Sequence, residues 1–190
     1  TDSNLETLSG PTEGYFKTGF AFEKRLQLKH KVTAMIGFDA DFIFLDKYKD
    51  NQIPFYNFGY AAKYFLGGIL PSSGHDRLIF PGLHEDELTA TQFMSVKLGA
   101  QINPIGKFYL TPHFNIASVG YGNFNEYIGD AFNPKGDWDY GTETSLLLSG
   151  GAAASYLSIL GPIHFDVSWI NNVEKVRLFF SVGFSFNPSN

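Results

Sequence analysis

The sequence predicts an all-β protein: an antiparallel transmembrane β-barrel with eight strands on this chain. Three observations carry that expectation. Apolar residues alternate with polar or small ones at period two through most of the chain, as in a pleated strand whose successive side chains leave opposite faces. Aromatic residues make up 17% of the sequence, with 20 Phe and 10 Tyr. An eight-stranded barrel is just wide enough for ordinary side chains and cannot enclose that many large ones. The opposite face is thick with Gly, Ala and Ser rather than the Thr, Lys and Glu of a water-exposed sheet.

In chain order, Thr1 to Thr12 is polar and reads as a linker or frayed N-terminus, leaving 13–190 as the barrel domain. Tyr15 to Arg25 sets Phe16, Phe20 and Phe22 against Lys17, Gly19 and Glu23. His30 to Leu45 sets Val32, Ala34, Ile36, Phe38, Phe42 and Phe44 against Thr33, Gly37, Asp39 and Asp41. Asn57 to Gly67 is read as a third strand, with Phe65 out of pattern, and Gly68 to Leu88 as a long connection. Gln92 to Ile102 is the fourth strand, and Asn103-Pro104-Ile105-Gly106 is a tight-turn sequence.

Lys107 to Val119 follows, where Pro112 cannot donate to a ladder and is expected to mark a bulge or irregular pairing. A loop rich in Gly, Asn and Asp runs from Gly120 to about Thr142, and Ser145 to Ser158 is the sixth strand. Pro162 to Phe186 then forms the last hairpin. Its apolar face carries Phe165, Trp169, Phe180, Phe184 and Phe186; its other face carries His164, Asp166 and Arg177, with Phe179 the one large exception. No convincing helix is expected.

Which way the apolar face points follows from size and charge. Lys17, Asp39, Asp41, Lys63, Lys97, Asp166 and Arg177 all share the small-residue face. Pointed at lipid, each Lys or Arg near the midplane would cost about 2–4 kcal/mol, whereas in a polar lumen they can pair across strands. The aromatics are therefore expected to face lipid. A soluble sandwich or lipocalin-like barrel is the alternative. A net charge of −5 argues for neither nucleic acid nor an anionic membrane surface as partner, and the absence of cysteine excludes disulfides and thiolate metal sites.

With the strands placed, Tyr15 onward resembles the C-terminal half of the barrel in the BamA-like superfamily of bacterial surface antigens. That superfamily includes outer-membrane assembly factors, two-partner-secretion transporters and barrels fused behind patatin-like phospholipases. Gly161-Pro162-Ile163-His164-Phe165-Asp166 is similar to the family's Gly-Pro-Leu-Arg-Phe-Asp. Phe180, Gly183, Phe184 and Phe186 resemble its C-terminal signal for the barrel assembly machinery. Gly67 to Leu88 would be the long sixth loop that folds into the lumen, with Phe80, Pro81, Gly82 and Leu83 where Val-Arg-Gly-Phe or Tyr stands.

The resemblance implies a bacterial outer-membrane location and a sixteen-stranded barrel. The open edges would then be covered by a missing N-terminal half or by a second copy. The positions of the family's loop arginine and its two carboxylate partners hold Pro81, Ala100 and Asn115. Losing all three together is coherent, because a carboxylate left without its cation would be buried unpaired. The resemblance therefore favours the patatin-fused type: a non-catalytic segment that anchors or translocates a fused or partner domain. The alternative is a small closed eight-stranded outer-membrane barrel with binding or lipid-hydrolase activity. With the C-terminus periplasmic, strand parity makes Asp46 to Tyr56 a periplasmic turn.

Catalytic and metal signatures are weak. No Gly-x-Ser-x-Gly elbow is present. His84-Glu85-Asp86-Glu87 lacks a second histidine and reads as a solvated acidic loop, and Asp137 and Asp139 near Asn133 and Gly136 lack full calcium-loop spacing. His113 with Asn115 is similar to part of a barrel phospholipase's catalytic set, but the same-face neighbours Thr111 and Asn115 supply no serine. His164, Asp166 and Arg177 are expected to pair across strands. No cofactor is expected.

Overall fold

Long alternating runs with few interior breakers form long ladders, and seven of them make one antiparallel sheet in the computed structural model. It describes residues 15–45, 63–69, 76–120, 124–132, 145–159, 161–171 and 175–183. The chain runs β1 (Tyr15–Lys29), β2 (Val32–Leu45), β3 (Tyr64–Leu66), β4 (Arg77–Leu78), β5 (Leu88–Ala90), β6 (Gln92–Ile105), β7 (Phe108–Gly120), α1 (Phe124–Asp130), β8 (Ser145–Ser158), β9 (Gly161–Ile170) and β10 (Lys175–Val182). The main sheet has the order β1-β2-β6-β7-β8-β9-β10, and a small sheet has the order β4-β3-β5. The main sheet is open: no pairing joins β1 to β10, so an eight-stranded closed barrel is not what these residues form.

The third expected strand is the main correction. β2 pairs directly with β6, Phe38 opposite Val96 and Asp39 opposite Ser95, so nothing lies between them. Tyr64–Leu66 belongs instead to the small sheet, and 57–62 lie outside the described residues. The physical reason is visible in Tyr64-Phe65-Leu66, which is apolar at consecutive positions. Such a run does not mark one face as polar, and Tyr64 and Leu66 are buried on one face with Phe65 half-buried on the other.

The parity changes with it. Since β2 and β6 are antiparallel neighbours, the 46–91 connection leaves and re-enters the sheet at one end. The turn expected at Asp46 to Tyr56 lies outside the described residues. The reversals at 30–31, 106–107 and 159–160 share the opposite end with Val182, while the long connections 46–91 and 121–144 and the short one at 171–174 share the other.

One row of the register runs Glu23, Gly37, Lys97, Asn115, Ser149, Ile170 and Lys175 across all seven strands. Because side chains alternate strictly, this row assigns every strand's two faces. One, the polar face, carries the small, polar and charged residues. The other carries Phe20, Ile36, Val96, Leu110, Leu146, Phe165 and Phe180, one from each strand, all of them exposed. The buried core lies on the polar face near the long-connection end, where Phe93, Ala117, Val119, Leu147 and Ile170 meet Tyr64, Leu66, Phe80, Leu83, Leu88 and Ala90.

Two smaller points concern local structure. At Pro112 the pairing is irregular without a bulge: it sits opposite Ala152 in continuous register with β8, while the ladder with β6 lapses at Thr111 and Pro112, between the Gly99–His113 and Ile102–Leu110 pairs, with the same register on both sides. The register shift falls between Ile102 and Ile105, beside the turn where Gly106 takes φ 52° and the Asn103 amide donates to its carbonyl at 3.1 Å. The second is α1, in a region read as helix-free. Seven residues are too few for helical periodicity to show; tertiary contacts hold them. Phe124 packs edge-on with its ring centre 5.0 Å from that of Phe42 and tilted at 4.9 Å from that of Phe44, and Tyr127 donates to the Ser118 carbonyl at 3.0 Å.

Candidate functional site: a segment clamped across the polar face

The segment holding the small sheet crosses the polar face from the β1 side to the β10 edge. At the β1 side, the Tyr64 hydroxyl lies 3.3 Å from the carbonyls of both Thr18 and Phe42. Lys17 donates to the Lys63 carbonyl at 3.0 Å and to Asp76 at 2.7 Å, and its ammonium sits 5.0 Å from the centre of the Tyr64 ring. These contacts fix where the segment enters. The positively charged Lys17, placed on the polar face by alternation alone, thus has a purpose there.

At the other side, Phe80-Pro81-Gly82-Leu83 packs on β8, β9 and β10. Phe80 and Leu83 are completely buried, each contributing roughly 1.5–3 kcal/mol by area. Ser149 donates to the Pro81 carbonyl. Gly82 takes φ 96°, and a Cβ there would stand 3.1 Å from that of Ile170, so only glycine brings the backbone this close. Phe179, the large apolar exception on the polar face of β10, meets the His84 ring at 5.5 Å.

The clamp itself is ionic. Arg177 of β10 donates from Nη2 to Glu87 Oε1 at 2.8 Å, from Nη1 to Glu87 Oε2, and from Nη1 to the Gly82 carbonyl at 3.0 Å. A planar guanidinium bound to both carboxylate oxygens fixes orientation as well as distance. Burial would raise the Glu87 carboxyl. The Arg177 hydrogen bond, the His84 amide and the Arg177 charge outweigh that and hold it below its ordinary value. The cation of this clamp stands on the sheet and the anion on the segment.

The acidic run His84 to Glu87 is not simply solvated. Glu85 and Asp86 pair with Arg77 at 2.8 and 2.7 Å, and Glu87 pairs with Arg177. Nor do His164, Asp166 and Arg177 pair with one another. The register puts Arg177 opposite Ser168, Phe179 opposite Asp166 and Ser181 opposite His164. His164 takes Ser155 at 2.7 Å, and Asp166 takes His113 at 2.8 Å.

Around His113 the structure brings in a serine that same-strand neighbours did not reveal. His113, Gly151 and Ser168 occupy one register row, and Ser168 Oγ lies 3.5 Å from His113 Nε2. The row was the available signal, since period two carried across β7, β8 and β9 points to it. The arrangement is not a nucleophile set. The Asn115 amide meets Nδ1 at 3.3 Å, which leaves the proton on Nε2, where it is donated to Asp166; the Ser168 hydroxyl also donates to Asp166 and is fully buried. Nε2 therefore has no free lone pair for the serine proton, and both oxygens of Asp166 are satisfied.

Of the C-terminal residues, Phe180 is exposed on the apolar face and Gly183 continues the β9 pairing by donating to the Pro162 carbonyl at 3.2 Å. Phe184 and Phe186 lie outside the described residues, as do Asn133, Gly136, Asp137 and Asp139. Among the described residues no group of three His, Asp or Glu side chains is arranged to hold a metal ion. Compared with known proteins, the chain matches no family model and no curated protein.

Proposed function

We propose that this chain is a segment of a bacterial outer-membrane β-barrel, non-catalytic, which anchors a fused or partner domain or lets it pass, with segment 63–90 as a plug against the polar face. One observation carries the reading. The large side chains the fold leaves exposed on its strands lie almost entirely on one face, among them Phe16 at 66% and Phe180 at 69%. A soluble monomer rarely shows a contiguous apolar patch beyond roughly 300–600 Å². Spread over seven strands, this one is better matched to lipid.

The polar face supports the same reading from the other side. It is rich in Gly and Ser, and several of its charges are paired: Lys97 with Asp39, Lys17 with Asp76, Arg177 with Glu87. The reversals at one end are all short and both long connections lie at the other, matching the asymmetry of outer-membrane barrels. In this reading the barrel assembly machinery inserts the chain through its C-terminal strand. Fractionation tests it: the protein should sediment with outer membranes and resist alkaline extraction. Recovery in the soluble fraction as a folded, detergent-independent protein would overturn it.

A further inference from the structure

Resting on that membrane reading, we infer that the short-turn end of the sheet is a binding rim for the anionic headgroups of the lipid leaflet beside it. The ground is how charge is distributed along the strands. The stretches 24–35, 100–111, 153–159, 161–165 and 179–183 reach that end, and they hold Lys24, Arg25, Lys29, Lys31 and Lys107 without one Asp or Glu. The net charge of −5, which by itself argues against an anionic surface as partner, is an average over two unlike ends.

Deeper in the sheet and on segment 63–90, cations meet carboxylates: Lys17 meets Asp76, Lys97 meets Asp39, Arg77 meets Glu85 and Asp86, and Arg177 meets Glu87. At the short-turn end, among the described residues, only Arg25 has such a partner, Glu23 at 2.6 Å, and both side chains of that pair are more than half exposed. Lys31 donates to the Pro104 carbonyl at 3.1 Å. Lys24, Lys29 and Lys107 are exposed, with no carboxylate of the described residues in ion-pair reach.

The rim is continuous. The Asn103 amide N–H donates to the Lys31 carbonyl at 2.9 Å and that of Leu157 to the Lys107 carbonyl at 3.1 Å, so neighbouring reversals stand side by side. Register decides which surface the cations join. Lys24 stands opposite Ile36 and Lys29 opposite Val32, so both lie on the apolar face, beyond Phe22. A lysine there keeps its stem on apolar surface and carries its ammonium out to headgroup level. The penalty for a cation on the lipid side, large at the midplane, falls nearly away at the interface.

Aliphatic side chains stand bare on the same rim: Leu28 is 63% exposed, Ile105 74% and Ile159 95%. Ammonium groups interleaved with exposed aliphatic ones match a phospholipid boundary, where phosphates meet acyl chains. An acidic protein surface would answer the cations and leave the aliphatic groups without a partner.

The test reconstitutes the protein in phosphatidylcholine bilayers with a trace of spin-labelled lipid, because electron spin resonance separates lipid held at a protein wall from bulk lipid. Spin-labelled phosphatidylglycerol should be enriched several-fold over spin-labelled phosphatidylcholine at low salt, each cation at the rim being worth up to about fivefold. The enrichment should fade at 1 M salt, where charges are screened beyond about 3 Å. Combining Lys24→Gln, Lys29→Gln and Lys107→Gln should remove most of it, whereas Lys175→Gln, on the polar face toward the other end, should leave it intact. Enrichment that ignores salt, or that survives the triple change, overturns the inference. Equal association of the two lipids also overturns it and assigns the cations to an acidic partner surface. If the triple variant does not integrate, the salt series on the unaltered protein decides. If the unaltered protein holds no lipid at its wall at all, the underlying membrane reading is what falls.

Discussion

Arg177 and Glu87 lie 90 residues apart in sequence, yet the guanidinium of one meets both carboxylate oxygens of the other. With its added bond to the Gly82 carbonyl, Arg177 ties the last strand to the middle of segment 63–90. Removing it in Arg177→Ala should weaken docking by roughly 1.5–3 kcal/mol, the range for hydrogen bonds to charged groups. Limited proteolysis should then cut within 76–90 at least several-fold faster. The double exchange Arg177→Glu with Glu87→Arg should recover part of the protection. Equal cleavage in all three proteins would show that the pair does not hold the segment.

The same pair sets an acid limit. Glu87 is held below its usual value near 4.5, so its contribution is complete above about pH 4.5 and fades as pH falls through the lowered folded-state value. Protection of 76–90 should be flat from neutral pH down to about 4.5 and then decline. Glu87→Gln should start lower and lose this acid dependence. If the two proteins show the same pH profile, another group is responsible.

Gly67 is a steric test of the docked conformation. It takes φ 139°, and a Cβ there would fall 1.8 Å from the His84 carbonyl oxygen, which is backbone and cannot turn aside. Gly67→Ala should displace the His84 turn and lower the melting temperature by several degrees. Gly106, at φ 52° with open space around it, is the control: Gly106→Ala should cost only about 1 kcal/mol of backbone strain. Comparable losses at the two sites would contradict the packing described.

Much of this fold was legible locally, and the failures share a cause. Alternation placed β1, β2 and β6 to β10 and sorted their faces, because period two is a property of each strand alone. It does not record which strands are neighbours. Tyr64-Phe65-Leu66 therefore passed for part of a strand in the main sheet, although β2 and β6 close over that position. The inward packing of Phe80 and Leu83 was suggested only by the resemblance of their loop motif, since nothing in period two marks them. The Arg177–Glu87 clamp and the Ser168–His113 approach were not legible, since each depends on partners brought together only by the register of distant segments.

Charge on the apolar face provides a further test. Phe165→Arg in β9 should reduce integrated protein sharply, at a cost of about 2–4 kcal/mol near the midplane. Thr111→Arg, on the polar face of β7, should be tolerated better. Surface abundance measured by quantitative blotting of outer membranes distinguishes them, and equal abundance would count against the assigned faces.

The most direct measurement compares neighbours on one strand. In the cysteine-free background, a fluorophore is placed at Leu98 or at Lys97 of β6 in the protein reconstituted into vesicles containing brominated lipid. Leu98 is exposed on the apolar face and Lys97 pairs with Asp39 on the polar face. The probe at Leu98 should be strongly quenched by the lipid and the probe at Lys97 should not. Equal quenching at both positions, or stronger quenching at Lys97, would contradict the claim that the apolar face meets the bilayer.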